Sequence, residues 1–104
     1  MVKVNSVNWG PAGWKFLHSV SFAYPEHPTL VDKQRYLRFF KTLAFVLPCP
    51  ACRKEYSIVS RNLSMEKLAN QETLSRWLVA VHNAVNKRLG KKIVSYNTVK
   101  KMYL

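Results

Sequence analysis

Apolar positions recur at helical rather than alternating spacing along most of the chain, and only three glycines interrupt them, so the pattern predicts an all-α fold. Trp14, Leu17, His18 and Ser21 share one face of a first helix expected to begin between Trp9 and Ala12, with Asn8 as its cap and Pro11 in its first turn. Tyr24-Pro25-Glu26-His27-Pro28 breaks that helix. Thr29 with Asp32 three residues on has the pattern of a capping box and opens a second helix. There Tyr36, Leu37, Phe39, Phe40, Leu43, Phe45, Val46 and Leu47 supply more apolar surface than one core-facing stripe needs, so part of it is expected to meet a second subunit. Pro48 ends this helix, and Pro50 suits the first turn of a third, from about Pro50 to Ser60. A polar stretch from Asn62 to Asn70 precedes a fourth helix over Gln71 to Leu89. Its inward positions are Leu74, Trp77, Leu78, Val81, Val85 and Leu89, and Gly90 serves as its C-cap. Ser95 caps a last short helix ending near Tyr103. The expectation is a single domain over residues 1–104: a four-helix bundle with a short fifth C-terminal helix.

The chain has two cysteines, and they stand together as Cys49-Pro50-Ala51-Cys52. With Pro50 as the first helical residue, Cys49 falls at the N-cap and Cys52 within the first turn. Unpaired N–H groups and the positive end of the helix dipole favour an anion there, which lowers a thiol pKa and makes the thiolate reactive near neutral pH. Arg53 and Lys54 add positive charge. Two such sulfurs can close a disulfide and reopen it by exchange. A zinc site would need two further ligands, and His18, His27 and His82 are scattered, so no metal is expected. A thioredoxin-like fold would need strands around the motif, where an apolar helix precedes it instead. Two inert buried cysteines fit poorly with the flanking prolines and the helix start. The motif alone names no electron acceptor.

An acceptor site is suggested by a second set of residues. Trp14 and His18 are four apart, with Tyr24 following; His82 and Asn86 are four apart, with Asn83 between and Arg88 and Lys91 beyond. Aromatic faces, hydrogen-bonding edges and cations together suit a flat ring system carrying a dinucleotide. The same residues equally suit ordinary core packing and a solvated face, and spacing alone leaves both open. No GxGxxG follows a strand, so a dinucleotide here is not expected to bind in Rossmann fashion.

Charge adds less. Seventeen basic and five acidic residues give a formal +12, and Lys87, Arg88, Lys91, Lys92, Lys100 and Lys101 crowd the C-terminal end. This suits a soluble basic surface, an acidic partner, a phosphate-bearing cofactor or nucleic acid. A non-enzymatic basic module binding nucleic acid is the rival reading, weakened by the lack of a recognised motif or of regular aromatic–basic interleaving. A cofactor-free disulfide exchanger is a third. No run of 18 apolar residues exists, so no membrane span is expected. The N-terminal segment lacks the pattern of a signal peptide, so cytoplasmic residence is the expectation.

Four segments in order resemble the Erv/ALR family of FAD-linked sulfhydryl oxidases. They are Trp9-Gly10-Pro11-Ala12-Gly13-Trp14-Lys15-Phe16-Leu17-His18; Tyr24-Pro25 with Pro28-Thr29; Leu47-Pro48-Cys49-Pro50-Ala51-Cys52; and Trp77-Leu78 leading to His82-Asn83-Ala84-Val85-Asn86-Lys87-Arg88-Leu89-Gly90-Lys91. The resemblance runs from Trp9 to Tyr103. It implies a helical bundle holding FAD, usually as a homodimer, which here would form through the apolar first and second helices. It implies that Cys52 lies beside the isoalloxazine as the charge-transfer thiolate and that Cys49 meets the substrate dithiol. Gly10, Trp14, His18 and Tyr24 would then line the flavin side. His82, Asn83, Val85 and Asn86 would contact the adenosine portion, Arg88 and Lys91 would lie towards the phosphates, and Tyr103 by the adenine. Electrons would pass from a protein dithiol to oxygen, giving hydrogen peroxide.

The chain departs from the family's cellular members in two ways. Their structural disulfide between the fourth and fifth helices is matched here by Val79 and Tyr96, so packing must replace it and the fifth helix is expected to be marginal. No further cysteine can act as a shuttle, so substrate is expected to reach Cys49 directly. A compact, basic, shuttle-less form resembles family members of large cytoplasmic DNA viruses. That implies a small thioredoxin-like or CxxC redox partner, in the host cytoplasm or the virion.

Overall fold

The computed structural model describes Val4 and residues 6–104. It contains α1 (Ser6–Phe22), α2 (Leu30–Val46), α3 (Pro50–Val59), one 3₁₀ turn (Met65–Leu68), α4 (Gln71–Arg88) and α5 (Tyr96–Tyr103), with no strand among the described residues. None of these helices is long and apolar enough to cross a membrane.

α4 is the central helix. Leu74, Ser75, Trp77, Leu78, Val79 and Val81 are buried along it, on more than one face, because α1, α3, α5 and the 3₁₀ turn all pack against it. The main core gathers Leu17 of α1, Phe40 and Leu43 of α2, Tyr56 of α3, Leu68 of the 3₁₀ turn and Leu74, Trp77, Leu78 and Val81 of α4. Its few polar atoms are satisfied locally: the Trp77 indole donates to Asn62 Oδ1 at 2.9 Å, and the Tyr24 hydroxyl donates to the Leu68 carbonyl at 2.7 Å.

The helix starts follow capping chemistry. The Thr29 hydroxyl accepts from Asp32 N–H at 3.0 Å while the Asp32 carboxylate accepts from Thr29 N–H at 2.9 Å, the expected reciprocal box. Ser95 caps α5 by accepting from Thr98 N–H. Asn70 caps α4, accepting from Thr73 N–H at 2.9 Å, and the polar stretch that it closes holds the 3₁₀ turn. At the far end of α4, Leu89 is the cap residue and Gly90 follows at φ +72°, the left-handed conformation that glycine adopts without penalty.

Two expectations are corrected. α1 begins at Ser6, so Asn8 is a helical residue rather than a cap and Pro11 lies in the second turn. A proline there forfeits one intrahelical bond, and the packing of the Trp14–Leu17–His18 face carries the helix through it. Leu89 is not inward: it is 63% exposed, because the end of α4 runs past the bundle.

The junction of α4 and α5 has its own small core of Phe22, Val79 and Val99, with Tyr96 and Tyr103 packed against it. Ser75 Oγ and the Tyr96 hydroxyl share a hydrogen bond of 2.7 Å, and the Arg76 guanidinium lies 4.1 Å above the Tyr96 ring. Val79 and Tyr96 thus hold α5 by packing. On α2, Phe40 is wholly buried while Phe45 is 80% exposed, so the surplus apolar surface does lie outside the core.

Candidate redox and cofactor site

Cys49 takes an extended conformation and caps α3, with Pro50 as the first helical residue. Its sulfur accepts the Cys52 N–H at 3.0 Å, and the two cysteines are joined as a disulfide with Cα atoms 5.2 Å apart. Pro50 and Ala51 are exposed and both cysteines are half-buried, so the pair is near the surface. A thiolate released here faces unpaired N–H groups and the helix dipole.

Three contacts fix this corner. The Arg53 guanidinium donates to the Leu47 carbonyl at 2.6 Å, bracing the segment that contains both cysteines. One turn beyond Cys52, Tyr56 is buried and donates its hydroxyl to the Phe40 carbonyl, tying α3 to α2; burial pushes that hydroxyl's pKa well above the usual value, so it stays a donor. Glu55 of α3 pairs with Arg88 of α4. Sequence reasoning noticed Arg53 only as local charge and missed Glu55. In a chain with five acidic residues, one lying a turn past the cysteines was the available signal.

The second set forms a ring cluster between α1, α4 and α5. The Trp14 indole stacks on the His82 imidazole with centroids 3.8 Å apart and planes 6° from parallel. His18 Nε2 and His82 Nδ1 share a hydrogen bond of 2.9 Å. Tyr103 lies 5.7 Å from His18, centroid to centroid. Burial, then the neighbouring His82, lowers the His18 pKa to about 4; burial, then the charge of Lys91, lowers that of His82 to about 4. Both rings are therefore neutral at pH 7, and one donates to the other. His18 Nδ1, although buried, has no hydrogen-bond partner among the described residues, and neither has Trp9 Nε1 on the same helix. A buried ring nitrogen left in this way is a ready contact for a ligand's polar edge.

The structure thus brings together Trp14, His18, His82 and Tyr103, with Lys91 close enough to act on His82. Lys91 is held by its N–H, which donates to the Asn86 carbonyl at 2.8 Å. Val85 and Asn86 are half-buried on α4 beside His82, and a methyl group at Gly10 would meet nothing within 4 Å. Other residues of the set have their polar groups engaged elsewhere. Tyr24 is in the main core, bonded to Leu68. Asn83 clamps the backbone of Val94, donating to its carbonyl at 2.7 Å and accepting from its N–H at 3.0 Å. Arg88 faces Glu55.

The profile of the Erv1 / Alr family matches residues 11–104. A relative in Acanthamoeba polyphaga mimivirus, named as a probable FAD-linked sulfhydryl oxidase, is 42% identical over 90 residues, which cover 85% of this chain and 63% of that protein. An FAD-linked sulfhydryl oxidase of African swine fever virus is 34% identical over 98 residues, 93% of this chain and 81% of the relative. Among solved structures, the yeast Erv1 core superposes with a TM-score of 0.89 at 29% identity, covering 99% of this chain and 86% of the other. The FAD binding domain of Erv1 from Saccharomyces cerevisiae gives 0.87 at 30% identity, covering 96% and 94%.

Proposed function

Because the chain belongs to the Erv1/Alr family, we propose that it is an FAD-linked thiol oxidase, forming disulfides in protein dithiols and reducing oxygen to hydrogen peroxide. The observation that carries this is the Cys49–Cys52 disulfide set across the N-terminus of α3. A substrate thiolate attacks Cys49 Sγ. The Cys49–Cys52 bond breaks, and Cys52 leaves as a thiolate stabilised by the helix terminus. A second substrate thiolate attacks the substrate sulfur of the mixed disulfide and displaces Cys49. The substrate has then lost two electrons and two protons, and the cysteine pair holds the two electrons. The chemistry supplied by bound FAD is acceptance of those electrons and their delivery to oxygen as hydrogen peroxide.

The residues present fit that cofactor. Trp14, His82 and Tyr103 offer aromatic faces, and His18 Nδ1 offers an uncommitted buried hydrogen-bonding edge. Lys91 supplies positive charge for the pyrophosphate, and Arg88, one turn before it, is held by Glu55. Gly10, Val85 and Asn86 line the approach, while Tyr24 and Asn83 support it from the core and the α4–α5 connection. The substrate dithiol meets Cys49 at the near-surface start of α3; a small thioredoxin-like or CxxC protein is the partner class. Exposed Phe16 on α1 and Phe45 on α2 suit a homodimer through these two helices. The place of action is the cytoplasm, or a virion if the chain is viral.

The test is a visible spectrum of the purified protein before and after anaerobic addition of a dithiol. A flavin band that bleaches, and returns when air is admitted, is expected. A colourless protein that FAD cannot reconstitute would overturn the proposal.

A further inference from the structure

Cys49 stands between Pro48 and Pro50, and neither proline carries an N–H with which to pin the segment. Leu47 closes α2 at φ −55° and ψ 142°, so its carbonyl has no partner in that helix's own ladder. One residue supplies donors at both places. The Arg53 N–H donates to the Cys49 carbonyl at 3.0 Å, and the Arg53 guanidinium folds back to donate to the Leu47 carbonyl at 2.6 Å. Leu47 and Cys49 are two peptide steps apart, with Cα atoms within about 7.6 Å, so Arg53 spans the stretch that carries the outer sulfur. Its side chain is half-buried, and among the described residues it forms no ion pair with a carboxylate, so the Leu47 carbonyl is its partner. Lys54, next in the chain, is exposed.

While the disulfide is closed, the covalent ring itself keeps the Cα atoms of Cys49 and Cys52 5.2 Å apart. Opening the ring removes that tie. Cys49 then keeps the helix bond from the Arg53 N–H, which any residue but proline would supply at position 53, and the guanidinium bond, which needs a long side-chain donor. We infer that Arg53 is the positioning residue of the redox pair: its guanidinium holds Leu47-Pro48-Cys49 in the closed-ring conformation while the ring is open, and so favours re-formation of the disulfide. The inference rests on the thiol-oxidase reading, in which the pair opens and closes in every cycle. The effect works through chain freedom. An open pair with this brace has fewer conformations to lose on closure than one without it, which raises the effective concentration of Cys49 at Cys52.

The experiment holds FAD-loaded protein, without oxygen, in buffers of reduced and oxidised glutathione. Each protein disulfide that opens takes two electrons and two protons from two glutathione thiols, which become one glutathione disulfide. Acid quenching and alkylation then give the equilibrium constant of the pair. Arg53→Met and Arg53→Gln are expected to shift it about three- to tenfold towards the reduced pair, the scale of one partly exposed charged hydrogen bond. Arg53→Lys, which keeps a long donor, is expected to recover part of the shift. Lys54→Met removes a neighbouring charge and leaves the brace in place, and is expected to shift the constant by less than about twofold. A wild-type constant in Arg53→Met or in Arg53→Gln overturns the inference. So does a shift in Lys54→Met equal to theirs, which would make local charge the cause. Failure of both Arg53→Met and Arg53→Gln to fold, followed by circular dichroism, overturns it too, because the guanidinium would then serve the fold and not the pair. The equilibrium needs no turnover, so a protein that does not reduce oxygen still answers the question. Oxygen uptake with dithiothreitol tests the oxidase reading separately.

Discussion

Trp14 and His82, 68 residues apart in the chain, stack face to face at 3.8 Å. The contact joins α1 to α4 and forms one wall of a cluster whose neutral histidines leave a buried nitrogen open. Replacing Trp14 by alanine removes the larger ring. FAD affinity is expected to fall at least tenfold, since an aromatic stack and its buried area are worth roughly 1.5–3 kcal/mol. Trp14→Phe should recover part of the loss. Titration of the cofactor-free protein with FAD, followed by flavin fluorescence, measures both, and wild-type affinity in the alanine variant would contradict the assignment.

The two cysteines are not equivalent: Cys49 caps the helix from outside, and Cys52 lies inside its first turn. Cys49→Ser should keep bound FAD and yet fail to turn over dithiols, because Cys52 alone has no disulfide for a substrate thiolate to attack. Cys52→Ser should abolish reduction of the flavin by dithiols. Oxygen uptake and anaerobic bleaching, recorded side by side, separate the two losses. Normal turnover in either variant would remove the pair from the mechanism.

Much of the fold was legible because its signals are local. The Thr29–Asp32 box, the Pro48-Cys49-Pro50 break and the Ser95 cap each act within one helical turn, and each appears where the residues predict. The start of α1 was misread because Pro11 is a local signal overridden by packing of the face behind it. Leu89 was misread because helical period says nothing about where a neighbouring helix ends. Within the site, four-residue spacing placed His18 beside Trp14 and Asn86 beside His82. The meeting of Trp14 with His82, of Asn83 with Val94 and of Arg88 with Glu55 depends on how separate elements cross, which no local pattern encodes.

The attachment of α5 shows what non-covalent contacts supply in place of a disulfide clamp. Asn83 uses both ends of its amide on Val94, and Tyr96 reaches Ser75. Asn83→Asp keeps the acceptor but sets a carboxylate against the Val94 carbonyl, and should destabilise the protein by about 1–3 kcal/mol. Tyr96→Phe keeps the ring between Phe22 and Arg76 and loses one hydrogen bond, so it should cost only about 0.5–1.5 kcal/mol. Denaturant unfolding ranks the two. A larger cost for Tyr96→Phe would mean that the Ser75 hydroxyl, and not the Asn83 clamp, is the principal tie.

His18 and His82 make stability depend on pH with a definite sign. Both pKa values are lowered in the folded protein to about 4, from 6.5, so between those values the unfolded chain binds more protons than the folded one. Stability from keeping these rings neutral is therefore fully present above pH 6.5 and is lost as pH falls towards 4. The slope is at most about 1.4 kcal/mol per pH unit for each ring, and less for the half-buried His82, where solvent screens part of the effect. Tm should thus decline steadily from pH 7 to pH 4.5. His82→Phe keeps a ring against Trp14, removes one titrating group and relieves His18 of a neighbouring charge, so its decline should be markedly shallower. A variant whose Tm falls as steeply as that of the wild type would show that the acid sensitivity comes from carboxylates elsewhere and not from the histidine pair.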